Sequence, residues 1–126
     1  YELDPGMMTE EEKEEVKRQL AQYRKYEELI RTGDYYRLSD PFRDAYAAWL
    51  MISQDGKQVL ISVVMLEIHG NMTVNYVKLK GLAKEALYEE PDSGKCFYGS
   101  ALMEAGLPMP VELGEYRAYQ IELRRK

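Results

Sequence analysis

The sequence predicts a mainly β domain, an antiparallel β-sandwich of Greek-key type, preceded by one N-terminal amphipathic α-helix. Three observations carry this. Residues 9–33 place apolar side chains at helical spacing on one face with a charged back, whereas beyond Gly33 the apolar pattern takes the period of a strand. Seven or so short strand-like runs then follow, punctuated by Asp55-Gly56, Gly70-Asn71 and Pro91-Asp92-Ser93-Gly94. Late in the chain, residues 98–110 combine Gly99, Gly106, Pro108 and Pro110, which forbid a long uninterrupted helix or strand, with Leu102, Met103, Leu107 and Met109, which need burial. An ordered loop with a core-facing side is expected there, as the long connection before the final strand.

The helix has the clearest local signal. Thr9 followed three residues later by Glu12 is a capping box, and the acidic first turns suit the positive end of the helix dipole, so the helix starts at about Glu10. Gly33 stops it, and Glu14 with Arg18 and Glu27 with Arg31 stand four apart in the favourable order. Its apolar stripe is Val16, Leu20, Tyr23 and Ile30, widened by Tyr26 and Leu29. Two readings are open: a helix facing the core of this domain, or one belonging to a preceding domain. Residues 1–33 therefore form an N-terminal segment and helix, and 34–126 a C-terminal β-sandwich.

Beyond Gly33, Tyr35, Tyr36 and Leu38 make a short β-prone piece closed by Asp40-Pro41. Residues 46–52 are apolar on both faces around Trp49, and Asp55-Gly56 suits a two-residue hairpin turn with positive φ at both central positions. Residues 59–68 return as a strand apolar enough to be covered on both faces, making this hairpin the centre of a sheet. Val74, Tyr76, Val77 and Leu79 form the next strand, with Lys78 and Lys80 outward. A weaker strand at 85–89 turns at 91–94 and returns at 95–98. After Gly114 comes a last strand in which Tyr119, Ile121 and Leu123 face one way and Arg117, Gln120, Glu122 and Arg124 are polar positions.

Composition bounds the function. A chain of 126 residues with 45% hydrophobic residues suffices for one domain with its own core. A net charge of -5 with the cations interspersed offers no basic face, which argues against nucleic acid and against an anionic membrane surface. No stretch has the apolar length of a spanning helix and no signal peptide opens the chain. The single Cys96 excludes an internal disulfide and a multi-cysteine zinc site, and a cytoplasmic location is expected. Asn71-Met72-Thr73 fits a glycosylation acceptor but carries little weight. The chain begins at Tyr1 without an initiator methionine, as a piece of something larger would.

No constellation of catalytic type emerges, so no catalytic, cofactor-binding or metal-ligating residue is assigned and no cofactor is expected. Glu67 and His69 alternate onto one face of a strand, but two ligands do not make a metal site, and a histidine beside a turn is usually a surface residue. Cys96 is expected as a small buried residue rather than a nucleophile paired with His69. Glu89, Glu90 and Asp92 cluster at a turn and are expected to solvate it, and Gly99 and Gly106 lack the Lys-Ser or Lys-Thr of a phosphate loop. The eleven tyrosines raise a sugar-stacking platform as an alternative, although packing or rim positions explain most tyrosines in strands.

The chain resembles the C-terminal part of glycoside hydrolase family 36 α-galactosidases. The resemblance rests on Tyr1-Glu2-Leu3-Asp4, the Glu-rich helix, Asp34-Tyr35-Tyr36-Arg37-Leu38 with Asp40-Pro41-Phe42, and Ala48-Trp49-Leu50-Met51-Ile52-Ser53. It continues through Val77-Lys78-Leu79-Lys80-Gly81-Leu82 and, most specifically, the whole of residues 98–110. In that family a β domain precedes a (β/α)8 barrel, and a C-terminal antiparallel sandwich packs on the barrel. The resemblance implies that the helix is the end of that barrel and that the catalytic carboxylates of a retaining mechanism lie upstream. It implies a noncatalytic domain whose partner is the barrel of the same full-length chain, with self-association through the helix stripe in the isolated piece. A carbohydrate-binding module and a protein-interaction β domain unrelated to sugars are the alternatives.

Overall fold

The computed structural model describes residues 4–40, 42–66, 74–110 and 116–126. A short 3-10 turn, Pro5–Met7, leads into helix α1, Glu10–Thr32. The capping box forms as the sequence predicts: the Glu12 N–H donates to Thr9 Oγ1 at 3.2 Å and the Thr9 N–H to Glu12 Oε2 at 2.8 Å. The acidic side chains choose nearer partners than expected, Glu10 with Lys13, Glu14 with Lys17 and Glu15 with Arg18, all at i,i+3. These pairs are largely exposed and add little stability.

A six-stranded antiparallel sheet follows, in the order β1-β2-β3-β8-β5-β6. Its strands are β1 Asp34–Arg37, β2 Tyr46–Ile52, β3 Gln58–Met65, β5 Leu87–Glu89, β6 Cys96–Tyr98 and β8 Ala118–Arg125. The remaining strands, β4 Tyr76–Val77 and β7 Leu107–Pro108, pair with each other as a second, two-stranded sheet. The last strand, β8, inserts between β3 and β5, joining the meander β1-β2-β3 to the hairpin β5-β6. The result is a sandwich-like β domain of unequal sheets with one N-terminal helix, as the sequence predicts.

Strand alternation divides the large sheet into two faces. Ala48, Leu50 and Ile52 of β2, Val59, Ile61, Val63 and Met65 of β3, and Leu123 of β8 enter the main core, where they meet Val77, Leu79, Leu82, Leu102, Leu107 and Met109 from the smaller layer. Full burial of each such Leu or Ile contributes about 1.5–3 kcal/mol. The other face carries Met51, Leu60, Ser62, Gln120 and Glu122, and part of it lies beneath α1. That accounts for the two-sided burial of β3.

Two local expectations are corrected. The β2–β3 loop is not a two-residue turn with positive φ twice: among the described residues of this loop only Gly56 has positive φ, at 69°. The Ser53 N–H donates to the Gln58 carbonyl across four loop residues. Asp55 sets this geometry by accepting from the Ser53 hydroxyl at 2.6 Å and the Lys57 N–H at 3.0 Å, an Asx-type arrangement that keeps Asp55 itself out of the left-handed region. Residues 98–110 are more regular than a loop: they form helix α2, Gly99–Glu104, and then β7. Their core-facing side is as expected, with Leu102, Leu107 and Met109 buried.

Candidate functional site

The positions singled out in the sequence for chemistry do not converge. Glu67, His69 and the Asn71-Met72-Thr73 triplet lie outside the described residues. Cys96 is exposed rather than buried, because β6 is an edge strand and its alternation sends Phe97, not Cys96, toward the core. Glu89 pairs with Lys126 at 2.9 Å, Glu90 accepts from the Ser93 hydroxyl, and Asp92 is exposed at the turn. Among the described residues no three His, Cys, Asp or Glu side chains gather as metal ligands, and no helix is long and apolar enough to cross a membrane.

The tyrosines divide mainly into core and rim. The Tyr88 ring is fully buried and its hydroxyl accepts from the Ala83 N–H at 3.0 Å, while Tyr36, Tyr46 and Tyr119 pack against the main core. Burial raises the Tyr46 phenol above its ordinary range, and the nearby Asp44 adds to this. Tyr35 and Tyr98 are exposed, but they belong to opposite edge strands, about 24 Å apart at the usual strand spacing, and Tyr76 belongs to the other sheet. Together they offer no single stacking platform.

What the fold does build is a seam between α1 and the sheet. Tyr26 and Leu29 bury themselves against Leu60 and Met51. Beside them Glu122, only 6% exposed, accepts four side-chain hydrogen bonds: from Lys25 at 2.7 Å and the Tyr26 hydroxyl at 3.0 Å, both from the helix, and from Arg124 at 2.7 Å and Gln58 at 3.1 Å. Burial alone raises a carboxyl pKa, but these donors outweigh it and lower Glu122 to about 2. The same contacts raise Lys25 and Arg124. The Lys25 ammonium also sits 4.7 Å from the Tyr26 ring centroid. Further along, Gln22 donates to Gln120 at 2.6 Å and Gln54 to the Thr32 carbonyl at 2.8 Å, so the helix is fastened from Gln22 to its C-terminus. The sequence shows Glu122 only as a polar strand position. The available signal was the apolar doubling of β2 and β3, which demands a cover on the face where Glu122 sits.

The helix is not covered all round. Leu20, Tyr23 and Ile30, members of the predicted stripe, stay exposed, and from residue 10 to 21 only Lys13 and Val16 are even partly buried. The sheet takes the flank of the stripe, not its centre. An open groove of about 860 Å³ runs beside the seam, lined by Lys25, Glu28, Gln54, Lys57 and Arg124 among others. A smaller one of about 240 Å³ lies on the opposite flank, between Tyr23, Ile30 and Gln120.

These features define a β domain organised around packing surfaces, with one helix fastened across its sheet. The chain belongs to the family described as the glycosyl hydrolase family 36 C-terminal domain, whose model matches residues 46–123. It is 47% identical over 120 residues to the bifunctional alpha-galactosidase/sucrose kinase AgaSK of Mediterraneibacter gnavus, covering 95% of this chain and 13% of that protein. To alpha-galactosidase AgaA of Geobacillus stearothermophilus it is 34% identical over 116 residues, covering 92% of this chain and 16% of the relative. The solved galactosidase domain of AgaSK superposes with a TM-score of 0.93 at 44% identity, over 98% of this chain and 17% of that one. The crystal structure of AgaA superposes with a TM-score of 0.91 at 32% identity, over 100% and 17% respectively. The chain thus spans 13–17% of the length of these relatives.

Proposed function

We propose that this chain is the noncatalytic C-terminal sandwich of a longer α-galactosidase that releases terminal α-linked galactose with retention, from melibiose and raffinose-type oligosaccharides. The carrying observation is the family match over residues 46–123, in a chain that spans so small a share of relatives named as alpha-galactosidases. In this reading the paired carboxylates of a retaining mechanism are supplied by an upstream barrel, and residues 34–126 support it. Helix α1 is the closing element of that barrel, which accounts for an apolar stripe the sandwich leaves largely open. The exposed thiol of Cys96 fits a reducing, cytoplasmic setting.

The assay is direct. Full-length protein is expected to hydrolyse a chromogenic α-galactoside with retention at the anomeric carbon, and residues 1–126 alone to give no turnover. Turnover by the purified fragment contradicts the noncatalytic reading, and an inert full-length protein contradicts the α-galactosidase reading. In the fragment the open stripe of Leu20, Tyr23 and Ile30 is expected to drive self-association, seen as earlier elution from a size-exclusion column as concentration rises. Glutamate at Tyr23 should return the elution to that of a monomer.

A further inference from the structure

The buried apolar side chains of this domain fall into two clusters. The main core joins the two sheets and α2, through residues such as Leu50, Ile61, Leu79, Leu102 and Leu123, and contains nothing from α1. The helix is held by a separate and smaller cluster, Tyr26 and Leu29 on Leu60 with Met51 at its rim. Adjacent residues of β3 therefore belong to different clusters: Leu60 faces the helix and Ile61 the main core, and both are buried. A unit with so few buried apolar contacts opens at lower free energy than the core beside it.

Beyond those apolar contacts, one carboxylate closes the seam. Among the described residues, the ion pair that joins α1 to the sheet is Lys25 with Glu122. The two carboxylate oxygens divide the work: Oε2 accepts from Lys25 and the Tyr26 hydroxyl of the helix, and Oε1 from Gln58 of β3 and Arg124 of β8. The other charged groups nearby do not span the seam in this way. Glu28, Lys57 and Arg125 line the adjoining groove, Asp55 is bonded within its own loop, and Glu89, the register partner of Arg124, pairs with Lys126. The Gln22–Gln120 and Gln54–Thr32 bonds are neutral and exposed, so water replaces them at little cost. The covalent tie is Gly33 alone, in extended backbone between the end of α1 and the first residue of β1. Rotation there lifts the helix as a unit and leaves β1 paired with β2.

We propose that α1 is a latch hinged at Gly33, held closed on the sheet by the Glu122 carboxylate and opened by acid while the sandwich core stays folded. Protonation removes the charge that Lys25 and Arg124 face, so the closed seam loses its ionic part; the main core, on the opposite face of the sheet, is untouched. The direction follows from the carboxyl, which has its ordinary value of 4.5 when released into water and about 2 in the closed seam. Closure is therefore fully supported above 4.5 and less so as pH falls toward 2. Between pH 7 and pH 3.5 the opening equilibrium should rise about tenfold. Opening uncovers Leu60 and Met51 together with Tyr26 and Leu29, and leaves Ile61 covered.

The test compares Leu60→Cys with Ile61→Cys in the 126-residue chain, at a concentration where it elutes as a monomer. Each introduced thiol reacts with a pyridyl disulfide, which remains active in acid, and its rate is read by peptide mass spectrometry against the exposed native Cys96 as internal reference. At pH 7 residue 60 is expected to react at least about tenfold faster than residue 61. From pH 7 to pH 3.5 the relative rate at residue 60 should rise about tenfold and that at residue 61 should not change. Equal rates at pH 7, or two rates that rise together, overturn the proposal, because the helix and the core then open as one. Adding Glu122→Gln should abolish the rise at residue 60; a rise that persists assigns the latch to another group and also overturns it. Hydrogen exchange of the unsubstituted chain gives a second readout should a thiol at residue 60 or 61 prevent folding. Amides of residues 22–32, corrected for intrinsic rate, should exchange through an opening that residues 59–65 do not share, and exchange of both segments through one opening overturns the proposal. No readout uses hydrolysis, so the α-galactosidase reading and the latch stand or fall separately.

Discussion

Alanine at Gly99 is expected to be the most damaging single-methyl change in the domain. A Cβ there meets the Ala83 carbonyl oxygen at 2.0 Å and the Ala83 carbonyl carbon at 2.9 Å, with the Tyr88 ring at 3.2 Å. Backbone is the obstacle, so no rotamer change relieves the clash. The approach is close because two hydrogen bonds bind the 83–86 turn to the start of α2, from the Gly99 N–H to the Ala86 carbonyl at 2.9 Å and from the Ser100 N–H to the Lys84 carbonyl at 3.0 Å. The Ala83 N–H in turn donates to the buried Tyr88 hydroxyl. Separating these elements costs overpacking strain of about 1–3 kcal/mol, and about 1 kcal/mol more for each hydrogen bond lost. Gly99→Ala should therefore lose roughly 3–5 kcal/mol, and the thermal midpoint should fall by about 10 °C or more. Gly56→Ala is the contrast: its Cβ meets nothing within 4 Å, and only the positive φ of 69° opposes it, at about 1 kcal/mol. Equal midpoints for the two variants in differential scanning calorimetry would refute the steric account.

Gly99 also marks where sequence reasoning stopped. The glycines and prolines of residues 98–110 bound any regular element to a few residues, which the six residues of α2 and two of β7 respect. The sequence does not show that a six-residue helix fits between them, because its stability comes from Leu102 in the core and from the Leu79 N–H donating to the Leu102 carbonyl, both long-range. By contrast, the start of α1 and the bounds of β2 were legible, since a capping box and a continuous β-prone run are local chemistry. The apolar arc of α1 was visible, but a helical period does not say which part of an arc meets a given partner. Tyr26 and Leu29 face this sheet while the centre of the stripe does not. The same limit hid the composition of the helix-side face: Trp49 and Tyr35 fall on it only once β1, β2 and β3 are in register.

Replacing Glu122 with glutamine is expected to loosen the helix–sheet seam and to remove one component of the acid sensitivity of the domain. Glutamine keeps the shape and one acceptor, but turns an NH2 toward some of the donors now supplied by Lys25, Tyr26, Gln58 and Arg124. Lys25 and Arg124 are half in solvent and rehydrate, so the loss is below that of stranding a buried charge. About 2–3 kcal/mol at neutral pH is expected. The pH dependence has a definite sign. The carboxyl has an ordinary value of 4.5 and is lowered to about 2 in the fold, so its contribution is fully present above 4.5 and is lost as pH falls toward 2. A shift of that size corresponds to stability on the order of 3 kcal/mol. Urea unfolding at neutral and at acid pH should show the gap between wild type and Glu122→Gln closing as pH falls through this window. A gap that stays constant from neutral to acid pH means that the charge of Glu122 is not what fastens α1 to the sheet.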